Sequence, residues 1–442
     1  MTFESLITRR LINRERLCLS VLIVFFVGAL NFLLWRAAEY LQAYHYHIGL
    51  PQHFGGVVAL PTCLAMLLGS IFIFARFSFG YFVGFYLFSI VAGYLWINTF
   101  SVLDYNQGAA FWLAALSLVL FLIPALATKK VSIERRPFVL PKRSPEAILI
   151  IAIGVLGASS FHGFYLVGIE GMIDHRDDIV RSAGMNYILG NMVGAAMPFA
   201  LACFIEQGRR TMCAVLIIVT LLYYPVTLTK MVLFAAPFMV FVAVVSRWLT
   251  LRLTVMVSLL VPLLIGVIAI AGLDWETIKA SHWRWEAFMI PAFRFVAFPS
   301  LALEHYLAFF HEHPLTYFCQ IGPVKRLLAC PYHEPLAFVM ERAFDMGRMN
   351  ASLLATEGVA SVGPVFAPLV LFGCGIVFTV ANIVSAHLPA RFVLISGAMI
   401  PVTLLNVPLS ITMTTNGLAL LLFLWLLSPS DLRLWRSDRS VS

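Results

Sequence analysis

The sequence predicts an all-α fold: a polytopic membrane protein of about 12 transmembrane helices, with a large loop containing short helices on its outer face. Three observations predict it. The 442 residues are 61% hydrophobic and only 12% charged, where a soluble domain carries roughly a quarter charged residues. Apolar runs close to the ~20 residues that a spanning helix needs recur along the chain. Basic residues sit in short clusters beside those runs, the positive-inside pattern. That pattern accounts for the formal charge of +8 without a nucleic-acid partner.

Taken in order, Arg9, Arg10, Arg14 and Arg16 precede the first apolar run, and no small-residue cleavage site closes it. The start therefore reads as a signal anchor. Spans are expected at 17–36, 56–75, 78–100, 110–128, 146–168, 186–206, 211–226, 231–247, 252–272, 358–383, 391–411 and 416–429, forming one integral membrane domain over 1–442. The inside segments then hold the clusters at Lys129–Lys130, Arg135–Arg136, Lys142–Arg143 and Arg209–Arg210, and later Arg433, Arg436 and Arg439. Both termini fall on the cytoplasmic side. The PKRSP run at 141–145 reads as a stiff connector between halves of the bundle.

The outer face carries a loop at 36–54 with His45, His47 and His53, a second at 101–108 with Asp104, and a first main loop at 169–185. A tight turn follows at Lys230, then the large loop 274–362, and a last turn at 412–416. The large loop holds nine of the 22 acids and five of the 11 histidines, so chemistry is expected there or on the surface facing it.

Arg176, Arg181, Arg284 and Arg294 lie where topology does not ask for positive charge. Guanidinium makes bidentate contacts to phosphate oxygens, so an anionic ligand is expected; pairing with Asp174, Asp177, Asp178 or Glu286 is the alternative. Lys230 sits between two apolar spans, where an ionisable group is costly and marks a functional site, unless it snorkels to the headgroups. Glu304-His305 and His311-Glu312-His313-Pro314 mix carboxylates with imidazoles. The spacing fits no zinc-binding pattern, and no metal or cofactor is expected. General acid–base chemistry suits these residues, whereas Leu301–Phe310 lying amphipathically in the interface with its polar edge exposed is the structural alternative. Cys319 and Cys330 are the two outside cysteines; they bridge in an oxidising compartment or remain free thiols in apolar pockets.

From His313 onward a family resemblance enters. HPLTYFCQIG, and after an insert MGRMNASLLATEGVASVGPVFAPLVLF, resembles the bacterial O-antigen polymerase and ligase superfamily, through His313, Pro314, Gly322, Asn350, Glu357, Gly358 and Gly363. Thr229-Lys230 stands where that family carries a basic residue in a tight turn after a span, with lysine for arginine and no glycine. The family's arginine-to-glycine spacing finds no counterpart from Arg176 or Arg181.

The resemblance implies a Wzy-type polymerase of the bacterial inner membrane. It would act on undecaprenyl-diphosphate-linked oligosaccharide repeats at the periplasmic face, in contact with membrane lipid, alongside a chain-length regulator and a repeat-unit flippase. Catalysis would fall to Glu304, His305, His313 and Glu357. Substrate binding would fall to Arg176, Arg181, Lys230, Arg284, Arg294 and Asn350. The rivals are an O-antigen ligase using the same donor, and a transporter, against which stands the lack of visible repeats or broken helices in the sequence. A lipid-phosphosugar transferase wants an acidic pair in the first outside loop, which offers only Glu39.

Overall fold

The computed structural model describes residues 3–42, 47–50, 56–127, 139–168, 171–172, 175, 179–345 and 351–429, with side chains for all of these but 3–12 and 323. Regular structure among them is helical, and one isolated antiparallel bridge joins Ile48 to Ser101. In chain order the helices are α1 (Phe3–Gln42), α2 (Ala59–Phe74), α3 (Phe79–Asn98), α4 (Gln107–Ala125), α5 (Ser144–Ser160), α6 (Ala183–Glu206), α7 (Arg210–Thr227), α8 (Lys230–Val245) and α9 (Leu251–Ile270). Then come α10 (Trp275–Ala280), α11 (His282–Glu312), α12 (Leu336–Phe344), α13 (Leu354–Ser385), α14 (Ala390–Ser396), α15 (Met399–Leu404), α16 (Leu409–Thr414) and α17 (Leu418–Leu427).

Among the described residues, eight helices are long and apolar enough to cross a membrane: α1 from Asn13, α3, α4, α6, α7, α9, α11 and α13. Four shorter apolar helices, α2, α5, α8 and α17, accompany them. This is the helical, multi-pass architecture that the composition dictates.

Two expectations change in detail. The stretch 274–362 is not a loop with short helices alone, because α11 runs through it for 31 residues and is itself of span length and composition. Leu301–Phe310 is no amphipathic surface helix either: Glu304 and His305 are 2% and 1% exposed. The expected span 391–411 is instead three short helices, α14, α15 and the start of α16, interrupted at Gly397 and ahead of Pro408. An apolar run sets burial, but glycine and proline decide whether the helix continues.

The chain forms two compact units: residues 1–127, 252–379 and 404–409, and residues 128–251, 380–403 and 410–442. The first is built around α3, all twenty of whose residues are buried. Ser78 caps it by accepting from the Tyr81 N–H at 3.0 Å. Gly80 abuts the Ala125 carbonyl and Gly93 the Ser300 hydroxyl, leaving no room for a Cβ at either. Small residues of this kind let membrane helices approach closely. Ser300 then donates to the Ile90 carbonyl at 3.0 Å, fixing α11 against α3. Arg252 of α9 meets Glu15 of α1 at 2.5 Å and the carbonyls of Ile73 and Ala75 at the end of α2.

The second unit packs α5, α6 and α7 together, with Tyr223 donating to the Ala152 carbonyl at 2.8 Å. α5 begins at Ser144, within the PKRSP run. Asn191 of α6 donates to the carbonyls of Thr414 and Thr415, and Gly190 and Gly194 let that turn sit directly on the helix.

Candidate functional site

The site forms in the first unit, where the backbone bridge at Ile48–Ser101 brings two loops together. Gly49 N–H donates to the Phe100 carbonyl at 2.8 Å and Val102 N–H to the His47 carbonyl at 3.0 Å. The bridge holds His47, at a positive φ of 59°, in the same region as the 101–106 loop. Both loops meet the C-terminal half of α11.

Glu304 lies there, with its Oε2 accepting from the Tyr105 hydroxyl at 2.6 Å. Oε1 is buried near Ser101 without a well-formed hydrogen bond. Tyr105 is held in turn. It accepts from Asn98 Nδ2 at 2.9 Å and shares a 3.3 Å contact with the Tyr94 hydroxyl, while Asn98 also reaches Tyr94 at 3.1 Å. Burial, and then the neighbouring Glu304, push the Tyr105 hydroxyl well above the usual phenol range, so it remains a donor.

His305 Nδ1 contacts the Leu301 carbonyl at 2.7 Å. A carbonyl only accepts, so Nδ1 carries the proton and the neutral ring presents its lone pair on Nε2. Nε2 is buried without a hydrogen-bond partner. The ring packs edge-on against Phe344, centroids 4.5 Å apart, and against His47 at 5.7 Å. His47 Nδ1 is likewise buried without a partner, and burial holds His47 below the usual imidazole range. Among the described residues no three His, Cys, Asp or Glu side chains converge as a metal site would require.

Next to this cluster α11 meets the π-helical first turns of α13, Leu354–Ala360. Tyr306 lies against Thr356 and Glu357. Glu357 is 4% exposed, and its Oε2 accepts from the Leu409 N–H at 3.1 Å, capping the start of α16. Gly363, at φ 78°, then breaks α13 just beyond. An apolar groove lined by Ala110, Ala114, Ser117, Leu303, Leu307 and Ala367 runs beside the same stretch of α11.

The other candidates are placed as follows. His313 ends α11, largely exposed, with its ring stacked on Phe309 at 3.9 Å. Arg294 lies exposed on a second π-helical segment, Ile290–Ala297, with its guanidinium over Phe298. Arg284 is half-buried over Trp283. Lys230 and Arg181 belong to the second unit. Lys230 opens α8 after Leu228 in the left-handed conformation. Arg181 is half-buried, its Nε lacks a partner, and burial lowers its pKa. Arg176 and Asn350 lie outside the described residues.

Helix geometry separates some of these. At ~1.5 Å per residue, Arg284 stands roughly 30 Å along α11 from Glu304, and Arg294 roughly 15 Å. At that separation Arg284 and Glu304 cannot contact the same small group. Sequence reasoning missed Tyr105, Asn98 and Tyr94. The available signal was the placement of polar Asn98 and Tyr94 in an apolar helix, where every hydrogen-bonding group needs a partner.

No protein-family model, curated protein or solved structure matches this chain.

Proposed function

We propose that this chain polymerises undecaprenyl-diphosphate-linked oligosaccharide repeats at the periplasmic face of the bacterial inner membrane. In this reading the bundle crosses the membrane about twelve times, with both termini cytoplasmic. The observation that carries the proposal is the buried pair of Glu304, hydrogen-bonded by Tyr105 on one oxygen only, and His305, with its unpartnered Nε2. Such groups are costly to bury and are kept where they act.

The reaction balances without a metal. The acceptor sugar hydroxyl attacks the anomeric carbon of the donor, whose bond to the diphosphate oxygen breaks. The hydroxyl proton passes to Glu304 or to His305 Nε2, and the diphosphate leaves with the bonding electrons. The developing charge calls for cations; Arg294, in the same unit as Glu304, fills that role. Arg284 is better read as an interfacial residue. Glu357, which caps α16, positions the broken helices rather than transferring the proton.

A second reading gains from the same structure. Helices broken at Gly363, Gly397 and Pro408 are common in transporters, and the sequence had hidden them. Deleting the gene and then complementing it separates the two. A polymerase leaves lipid-linked single repeats on the periplasmic face and no polymer ladder. Repeats trapped on the cytoplasmic face would establish the transporter instead.

A further inference from the structure

We propose that the loop closed by the Cys319–Cys330 disulfide is a membrane-anchoring finger whose tip seats on acidic phospholipid headgroups. Its base is fixed at the ends of two helices long enough to cross the membrane. Thr316 N–H donates to the Ala360 carbonyl at 2.8 Å, Tyr317 N–H to the Ser361 carbonyl at 3.2 Å, and Gln320 Nε2 to Ser361 Oγ at 3.0 Å. These contacts tie the base to the start of α13. On the other side the Tyr332 hydroxyl donates to the Pro314 carbonyl at 2.7 Å, and its ring rests on Phe309 and Phe310 at the end of α11. The disulfide closes the loop between these two anchors, with Cα atoms 5.7 Å apart.

Tyr317 and Phe318 both adopt a positive φ, 46° and 63°, which bulky residues rarely do. The tip of the finger is a single helical turn, Gly322–Lys325, followed by Arg326, Leu327 and Leu328. Leu327 is 84% exposed, Leu328 50% and Tyr317 60%, while Lys325 and Arg326 are exposed beside them. Between the two cysteines the loop holds no acidic residue. Two bare leucines next to two cations suit a surface that is apolar just below a layer of negative charge, and an acidic bilayer is such a surface. The rigid base keeps the leucines from folding back onto the protein.

Trypsin provides the test, because it cuts after Lys325 or Arg326. That nick leaves the fragments joined by the Cys319–Cys330 bridge, so it is visible only after reduction. The full-length protein is placed in nanodiscs of phosphatidylcholine alone and of equimolar phosphatidylcholine and phosphatidylglycerol. The nick is expected to form roughly tenfold more slowly in the acidic discs. High salt should bring the two rates together. Leu327→Ser with Leu328→Ser, which leaves the cleavage sites intact, should cut quickly in both. Equal rates in the two discs would overturn the proposal. Protection that persists in detergent would also overturn it, since a second copy or the protein itself would then be covering the tip.

Discussion

Residues 298–312 and 313–345 adjoin in the chain and carry a similar mixture of aromatic, acidic and imidazole side chains, yet the fold treats them in opposite ways. In the first, Glu304 and His305 are buried, each with one atom lacking a hydrogen bond. In the second, the charges face solvent, Arg342 pairs with Glu334, and a disulfide ties the chain. The difference arises from what each segment packs on. α11 lies against the fully buried α3 through Gly93 and Ser300, and its polar groups go wherever that contact takes them. The following segment breaks at Pro314 and returns to the bundle through apolar residues such as Met340 and Phe344, so its charges stay outside. Polar groups that packing forces inward, at a cost, are therefore the ones to suspect of function; those in solvent cost nothing to keep.

The contrast can be broken at three points. Tyr105→Phe removes the one hydrogen bond to Glu304 and also a partner of Asn98, so it should lower stability by about 3 kcal/mol and impair turnover as well. Thermal unfolding in detergent, paired with a polymerisation assay, checks both. A variant as stable as the parent would mean that the Tyr105–Glu304 contact contributes nothing.

Cys319→Ser acts on the second segment alone. Opening a loop of this size should cost about 2–3 kcal/mol, with turnover by the folded protein preserved. Loss of turnover in intact protein would bring the finger into the active site. The smallest effect is expected from Arg342→Ala, because an exposed ion pair contributes less than about 1 kcal/mol. A larger fall in the melting temperature would show that this surface pair is not the bland contact its exposure implies.

The helical membrane fold was legible because hydropathy reports it directly. The Cys319–Cys330 bridge was legible too, as the pair of cysteines in one outside segment. α11 was not: Arg294, Glu304, His305, His311 and Glu312 interrupt its apolar pattern, and what holds it inside is its fit to α3. The breaks near Gly397 and Pro408 were hidden in a run of unbroken hydropathy. Glu304 and His305 stood out by residue type alone, but Tyr105 acts on Glu304 across 199 residues of sequence. No local pattern reports a contact of that range. Arg284 stands roughly 30 Å along α11 from Glu304, a separation that a sequence reading had no means of measuring.

The most direct test of the claim that Glu304 is retained for chemistry and not for stability uses Glu304→Gln in purified protein, with a lipid-linked repeat as substrate. The amide keeps the shape and can still accept from Tyr105, while the buried carboxylate is gone. Turnover is predicted to fall by about a hundredfold or more, as for loss of a general base, with a melting temperature equal to or above that of the parent. Parental turnover in this variant would contradict a catalytic role for Glu304 and leave His305 Nε2 as the base.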